Sequence, residues 1–404
     1  MELLPHLRLL RALAAVLQAG SSQQAAALLH VAQSSVARAV VKLESELGCA
    51  LFERTGRGLL PTERGRMLAL RSTRVFQLLS DADRRRGRSS NLDWNTSPLS
   101  LGLGPRHLEV LLQLADLGSE VKVAEVLGVS QSAVHQSVAQ LEHMAGAALF
   151  RRTRLGLRVD ESGEPVLLAA RLALAELRQA ADELTATDGR LKGRLVVGTL
   201  PFSTTMLLSP AVEQLLASQS DVRVVIIDGT FDALVQQLRR AEVDFIVGAL
   251  RGAPPASDIT QEGLFEDRLT VVVRGGHPLT QDRKLKWATL RGAHWVMPMP
   301  GTPAESAFEQ MFQSAGLPAP SDQLRANSAL MTQALLADSD RLALMSPRQV
   351  ARELASGQLA ELPLRVQHAD RQIGVLWRTD YLPTPAAAEL LCALRRVAAT
   401  LRAS

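Results

Sequence analysis

Amide, hydroxyl and cationic side chains recur in two near-copies of one short stretch. The run VAQSSVARAVVKLE begins at Val31, and VSQSAVHQSVAQLE begins at Val129. The first carries Gln33, Ser34, Arg38 and Lys42; the second carries Ser130, Gln131, Ser132, His135 and Gln136. These groups suit recognition by hydrogen bonding rather than bond-making chemistry. In the first stretch Val36, Val40, Leu43 and Leu47 fall on one face of a helix advancing roughly 100° per residue. Ser34, Arg38 and Ser45 occupy the opposite face, flanked by Lys42. A helix with an apolar back and a short-polar, basic front is what the major groove of a duplex admits, since Gln and Arg can bond base edges in pairs.

The elements that must hold these helices repeat as well. The two glutamines are 98 residues apart, and the same offset pairs Leu13 with Leu111, Gly20 with Gly118, Ala26 with Ala124 and Leu29 with Leu127. It also pairs Phe52 with Phe150, Arg54 with Arg152, Thr55 with Thr153 and Gly65 with Gly163, which reads as an internal duplication. A helix over about Ser22 to Leu29 is separated from the polar-faced helix by only a tight turn, with Gly128 in the second copy. Two helices so joined form a helix-turn-helix. Downstream, LFERTGRGLLPTERG predicts a hairpin wing, with Arg54 and Arg57 at its tip, and Arg152, Arg154 and Arg158 occupy the wing of the second copy.

On these residues both copies resemble the winged helix-turn-helix of LysR-type transcriptional regulators. The second supplies AEVLGVSQSAVHQSVAQLEHMAGAALFRRTRLG and the first AALLHVAQSSVARAVVKLESELGCALFERTGRGLLPTERG. Each departs from the family pattern in its own way. Ala32 replaces the serine expected at the helix N-cap, at a cost of about 1 kcal/mol. In the second copy Ser130 keeps the cap, but the surroundings are acidic and RVDESG replaces the usual wing end. The resemblance implies DNA contacts at Gln33, Ser34, Arg38, Lys42, Arg54, Arg57, Ser130, Gln131, Ser132, His135, Gln136, Arg152 and Arg154.

Charge follows the same division. Residues 1 to 90 hold 14 Lys and Arg against 7 Asp and Glu, a balance of +7, whereas residues 91 to 190 hold 9 against 13, a balance of −4. The first copy is therefore the basic one, a balance that favours phosphate. The 404 residues exceed what one core accommodates. Cys49 and Cys392 stand far apart with no C-x-x-C spacing, so no disulfide framework or zinc site is expected, and a reducing cytoplasm fits. No apolar run reaches the length of a membrane span.

After the second copy, EPVLLAARLALAELRQAADELTATDG predicts a long helix, rich in helix formers and free of internal Gly or Pro up to its end. The resemblance makes it the linker helix that pairs two subunits. RMLALRSTRVFQLLSDADRRR predicts a related helix after the first copy, and RRRGRSSN reads as a mobile basic linker. From Gly193 short β-rich runs alternate with helices, which predicts a parallel sheet covered on both faces. This half resembles the family's effector domain, with the two-lobed fold of type 2 periplasmic binding proteins. It is most similar to the branch of the galactose-binding-protein and protocatechuate-responsive regulators.

The expected fold is thus multi-domain: two α-rich winged helix-turn-helix domains, a linker helix, and an α/β two-lobed domain. The expected boundaries are 1–66 for the first reader, 67–103 for a helix and linker, 104–163 for the second reader, 164–190 for the linker helix and 191–404 for the effector domain. Loops at the carboxyl ends of strands, and helix N-termini, suit a polar or anionic small-molecule effector. The candidates there are Pro201, Ser203, Thr204, Thr205, Gly229, Thr230, Gly248, Ala249, Met299, Gly301, Thr302, Asn327 and Ser328. No nucleophile elbow, phosphate-binding loop or H-E-x-x-H motif occurs, and the eight histidines are scattered, so no enzyme, cofactor or metal is expected. An exported solute-binding protein would not carry two helix-turn-helix units. Expected partners are double-stranded DNA, a small-molecule effector, further copies of the chain in a dimer or tetramer, and RNA polymerase as an additional candidate, with no membrane. In an alternative reading only the second helix-turn-helix reads DNA and the first is an assembly module.

Overall fold

The computed structural model describes residues 2–55, 58–87, 92–186, 190–201, 204–282, 284–321, 324–364, 366 and 369–403. The chain divides into two compact units, Met1–Gly189 and Arg190–Ser404.

In the first unit α1 (Leu7–Ala19), α2 (Ser22–Leu29) and α3 (Gln33–Leu47) precede a two-stranded wing of β1 (Phe52–Thr55) and β2 (Gly58–Pro61). The long α4 (Glu63–Arg85) and the short α5 (Pro98–Gly102) follow. The set then recurs as α6 (Pro105–Leu117), α7 (Glu120–Leu127), α8 (Gln131–Ala145), β3 (Phe150–Thr153), β4 (Gly156–Val159) and α9 (Glu164–Thr185). Val36, Val40, Leu43 and Leu47 of α3 are buried, as their spacing predicts.

The repeated letters have repeated physical jobs. Glu44 Oε1 accepts from the backbone N–H of Leu51 at 2.8 Å and of Phe52 at 3.0 Å. Glu142 Oε1 does the same for Leu149 at 2.9 Å and Phe150 at 3.4 Å. One carboxylate at the end of each polar-faced helix thus satisfies the donors that open each wing. Gly65 and Gly163 sit where a Cβ would collide with the carbonyl of Leu51 or Leu149, so the next helix can start against the wing only without a side chain. In the second copy Asp160 stands where the first has Thr62, whose hydroxyl donates to Ala50 O at 3.0 Å; there Ser162 Oγ donates to Ala148 O at 2.8 Å and replaces that bond.

The two copies share one continuous hydrophobic cluster, running from Leu3 to Leu184, because α4 packs against α9. Of RRRGRSSN, expected as a mobile basic linker, Arg84 and Arg85 belong to α4 and Arg88 to Asn91 lie outside the described residues; the stretch that follows is docked from Leu92 onward. Trp94 is buried 5.9 Å from Phe76, and its Nε1 donates to Gln18 Oε1 at 2.9 Å. Asp83 Oδ2 accepts from Ser97 Oγ at 2.6 Å and from Leu99 N at 3.1 Å. The Arg11 guanidinium donates to Ser100 O and lies over the Phe76 ring; burial, then Arg8, lowers its pKa to about 10. Apolar residues hidden in a polar-looking run supply the area that fixes it.

The second unit carries β5 (Gly193–Thr199), a π-helical turn and α10 (Ser209–Ser218), β6 (Val222–Asp228), α11 (Phe231–Arg239), β7 (Phe245–Ala249), β8 (Ile259–Arg268) and β9 (Thr270–Arg274). Next come α12 (Trp287–Gly292), β10 (Trp295–Val296), α13 (Pro303–Gln313), α14 (Ala329–Ala337), β11 (Leu342–Met345), α15 (Ala351–Ala355), β12 (Leu359–Glu361), β13 (Asp370–Arg378) and α16 (Pro385–Ala403). One lobe is a five-stranded sheet in the order β6-β5-β7-β13-β8, and the other a four-stranded sheet in the order β10-β11-β9-β12. Alternate residues of β7 serve opposite faces: Phe245 and Val247 join α10 and α16, while Ile246 joins Leu234 and Leu238 of α11. The sheet is mixed rather than parallel, since β13 runs antiparallel to both β7 and β8. The reason is topological: β8 leads directly into β9 of the other lobe and β13 returns from it.

The helix-turn-helix turn requires a left-handed residue in both copies, and they meet it differently. Gly128 adopts φ 63° and His30 φ 53°. A side chain there costs roughly 1 kcal/mol, partly offset by the greater unfolded-state freedom of glycine. His30→Gly is therefore expected to stabilise the first unit by about 0.5–1 kcal/mol; a lower midpoint in urea unfolding would contradict this.

Candidate nucleic-acid interface and ligand cleft

Gln33, Ser34, Arg38 and Lys42 of α3 are exposed, as are Ser130 and Gln131, Ser132, His135 and Gln136 of α8. The expected difference in capping is present. Ala32 makes no side-chain cap, whereas Ser130 Oγ accepts from Ala133 N at 3.2 Å and sits 2.9 Å from Ser132 Oγ. Gln33 Nε2 donates to Ser22 Oγ at 3.3 Å, which ties the two helices of the first copy. Lys42 Nζ lies 3.7 Å from Glu46, which also holds His6 at 2.7 Å, so part of its charge is compensated. His135 Nδ1 is 3.2 Å from Glu120. Arg152 and Arg154 are exposed on the second wing, beside Leu155, which is 81% exposed at the tip. Arg57 and the side chain of Arg54 lie outside the described residues. The two faces differ in charge: Arg38 and Lys42 in one stand where Gln136 and Gln140 stand in the other.

Between the lobes of the second unit lies a cavity of about 290 Å³. From one lobe it is lined by Leu200, Pro201, Thr230, Phe231, Asp232, Ala249 and Arg251, and from the other by Pro298 to Pro300, Thr302 to Ala304, Ala326 and Asn327. The N-terminal ends of α11 and α13 thus meet there from opposite lobes, and both favour negative charge. Of the sequence candidates, Pro201, Thr230, Ala249, Met299, Thr302 and Asn327 come together in this cavity.

The other candidates have local roles instead or fall outside the description. A Cβ at Gly248 would run into Leu200, and one at Gly229 into Leu234, so both glycines serve packing. Gly301 N donates to Glu305 Oε2 at 2.7 Å in the turn before α13, and Ser328 Oγ caps α14 by accepting from Met331 N at 3.2 Å. Thr205 is exposed on the π-helical turn; Ser203 and the side chain of Thr204 lie outside the described residues. Even the two threonines on the wall are helix caps: Thr230 Oγ1 accepts from Ala233 N at 3.4 Å, and Thr302 Oγ1 accepts from Glu305 N at 3.2 Å while donating to Met299 O at 2.7 Å.

Sequence reasoning missed the charged part of the wall. Arg251 stacks its guanidinium 3.9 Å from the centre of the Phe231 ring and reaches Asp232 at 3.6 Å. Arg371 enters from β13, where its Nη2 and Nε donate to Asp267 Oδ2 at 2.9 and 3.1 Å. Asp267 lies on β8 and its Oδ1 accepts from Ser346 Oγ at 2.7 Å. A buried ion pair therefore clasps the two strands that cross between lobes, and its cation also lines the cleft. The position of Arg251 directly after a strand was the available signal; Arg371 had none, being an arginine at the start of an apolar run.

Known proteins give a consistent comparison. The description "Bacterial regulatory helix-turn-helix protein, lysR family" matches residues 7–66 and again residues 105–164, and "LysR substrate binding domain" matches residues 188–399. The chain is 36% identical over 397 residues to the HTH-type transcriptional regulator GalR of Pseudomonas putida, covering 98% of each chain. It is 30% identical over 296 residues to the HTH-type transcriptional regulator PcaQ of Agrobacterium fabrum, covering 73% of this chain and 95% of the other. Its fold is similar to the crystal structure of ArgP from Mycobacterium tuberculosis, with a TM-score of 0.57 at 20% identity over 73% of this chain and 97% of that one.

Removing one member of a buried ion pair leaves the other charged and uncompensated, at a cost of about 3–5 kcal/mol. Asp267→Ala should accordingly destabilise the second unit by about that much in urea unfolding. A loss below about 1 kcal/mol would mean that the clasp does not hold the crossing strands.

Proposed function

Because the chain belongs to the LysR family, as a DNA-binding transcription regulator with an effector-binding domain rather than an enzyme, we propose that its two helix-turn-helix modules read the two halves of one operator. The observation that carries this is the equivalence of α3 and α8: both turn a polar face to solvent at corresponding residues while their backs share a single core. In this reading Gln33, Ser34, Arg38, Gln131, Ser132 and Gln136 meet base edges. Lys42, Arg54, Arg57, Arg152 and Arg154 meet phosphates, while Ser130 and His135 border the second base-reading face. The differing faces call for unlike half-sites, the one under α3 being met by more positive charge. Having both readers on one chain raises affinity through effective concentration.

The effector occupies the cleft between the lobes. Two arginines, two helix N-termini and a wall of Pro, Phe, Met and Ala suit a small molecule with an apolar body and a negative group. By closing on it the lobes change the regulator's hold on DNA or on RNA polymerase, and the regulator works in the cytoplasm as a homo-oligomer. The alternative, in which α3 only supports assembly, draws on the missing cap at Ala32.

Footprinting of single-reader variants separates the two readings. Arg38→Ala should change preference in one half-site by about 1–3 kcal/mol and leave the other alone, and Gln131→Ala the reverse. If Arg38→Ala leaves both halves unchanged, the assembly reading replaces this one. Arg152→Ala should weaken all sequences alike and lower the slope of log affinity against log salt by about one. Titration with small carboxylates should shift the footprint, and Arg251→Ala should weaken that response at least tenfold; an unaltered response would remove Arg251 from the effector site.

A further inference from the structure

Helices α4 and α9 occupy equivalent places in the two copies, and they pack on each other within one chain. Arg71, 1% exposed, is enclosed at this contact. Its Nη1 donates to Glu176 Oε2 at 2.7 Å and to Gln179 Oε1 at 2.9 Å; its Nη2 and Nε donate to Glu183 at 2.6 and 3.3 Å. Arg74 Nε donates to the other oxygen of Glu176 at 2.9 Å. Burial acts to lower the Arg71 pKa, but the hydrogen bonds and charges of Glu183 and Glu176 outweigh it and raise the value. Residue 71 meets 183 while 74 meets 176, so the helices run antiparallel.

Every cation of this cluster is on α4 and every anion on α9. The offset of 98 shows what a symmetric pairing would do. In a pair of two α4 helices at this register, Arg71 would face Leu78, Asp81 and Arg85 of the other copy, and Arg74 would face Leu78. In a pair of two α9 helices, Glu176 would face Ala169 and Leu172, and Glu183 would face Ala169. The α9 pair would bury Glu176 and Glu183 against no cation, and the α4 pair would set Arg71 against Arg85 with Asp81 as its one anion, both of which are disfavoured, whereas α4 against α9 satisfies the charges. A polar group in a helix interface that fixes which helix pairs with which is a known device.

The connection between the copies decides whether α9 comes from the same chain. Trp94, Ser97 and Leu99 dock on the first copy through Phe76, Gln18 and Asp83. Three residues after Leu99, Gly102 lies against Met144 of α8 in the second. We infer that Arg71, Arg74, Glu176 and Glu183 form a pairing code that commits α4 to α9 of its own chain and excludes the symmetric helix pair with a second copy. The readers of the duplicated unit are thereby paired within one polypeptide, and any further copy must join through other surfaces.

Charge reversal in cis and in trans tests this on the full-length chain. Arg71→Glu with Arg74→Glu makes one variant, Glu176→Arg with Glu183→Arg a second, and all four together a third. Amide hydrogen exchange of peptides from α4 and α9 is measured without DNA. Each half-reversed chain should exchange at least tenfold faster than the parent there, and the fully reversed chain should return to within about threefold. The two half-reversed chains, co-expressed with different tags, should neither co-purify through the first unit nor regain protection. Co-purification with restored protection would show that the helices pair between chains and would overturn the inference, as would a fully reversed chain that stays unprotected. Where a half-reversed chain is insoluble alone, soluble yield gives the same comparison: rescue in cis supports the inference and rescue in trans overturns it. The inference rests on the duplicated-unit reading but not on DNA contact, so lost operator binding with normal protection would count against the function alone.

Discussion

One guanidinium shut between two helices organises the amino-terminal unit. Arg71 is almost without access to water, and its charge is tolerable only because Glu176, Gln179 and Glu183 of α9 surround it. That requirement binds the scaffold of the first helix-turn-helix copy to the scaffold of the second. A single cluster of apolar side chains then extends through both, and the segment from Leu92 to Leu103 is pinned across them. What could have been two beads on a string is one body with two polar-faced helices. The second unit has a counterpart in the Asp267 and Arg371 pair, where again a buried ion pair holds together two elements, here the neighbouring strands β8 and β13 that cross between the lobes.

Much of this was legible in the sequence because the duplication works as an internal control. The tight turn, the glutamate that closes each wing and the glycine at the next helix recur at one offset, so each element is written twice. Helical periodicity identified the buried stripe of α3, and continuous runs of Val and Ile identified the strands of the two-lobed half. The mixed sheet was not legible. Strand β8, at the edge of the sheet, carries Glu262, Glu266, Asp267 and Arg268, a polar signature unlike the apolar runs that mark the inner strands. Those charges are accommodated by distant partners: Glu262 by Arg395, whose hydrogen bond holds the carboxyl below its ordinary value, and Asp267 by Arg371.

The cleft shows the same boundary between local and distant information. Loops after strands, and threonines before helices, could be picked out by position, and several do converge. Their hydroxyls, however, also accept from backbone N–H groups as helix caps, and the charge on the wall comes from Arg251, Asp232 and Arg371. Arg371 is 104 residues from Asp267 in the chain, and no local pattern announces that pairing. Trp94 likewise sits in a run of polar residues whose burial depends on Phe76 and Gln18, well before it in sequence. The sequence misses, in each case, are side chains whose role is assigned by a partner far along the chain.

Covalent fusion of two unlike helix-turn-helix copies also changes how such a molecule can evolve. In a regulator assembled from identical subunits, one codon change alters both heads at once and must suit both sides of its target. Here Ala32 and Ser130, or Arg38 and Gln136, vary independently at corresponding sites. In the proposed two-reader arrangement, each half of the target can drift with its own head while the other keeps the molecule anchored, and the resulting site has a direction.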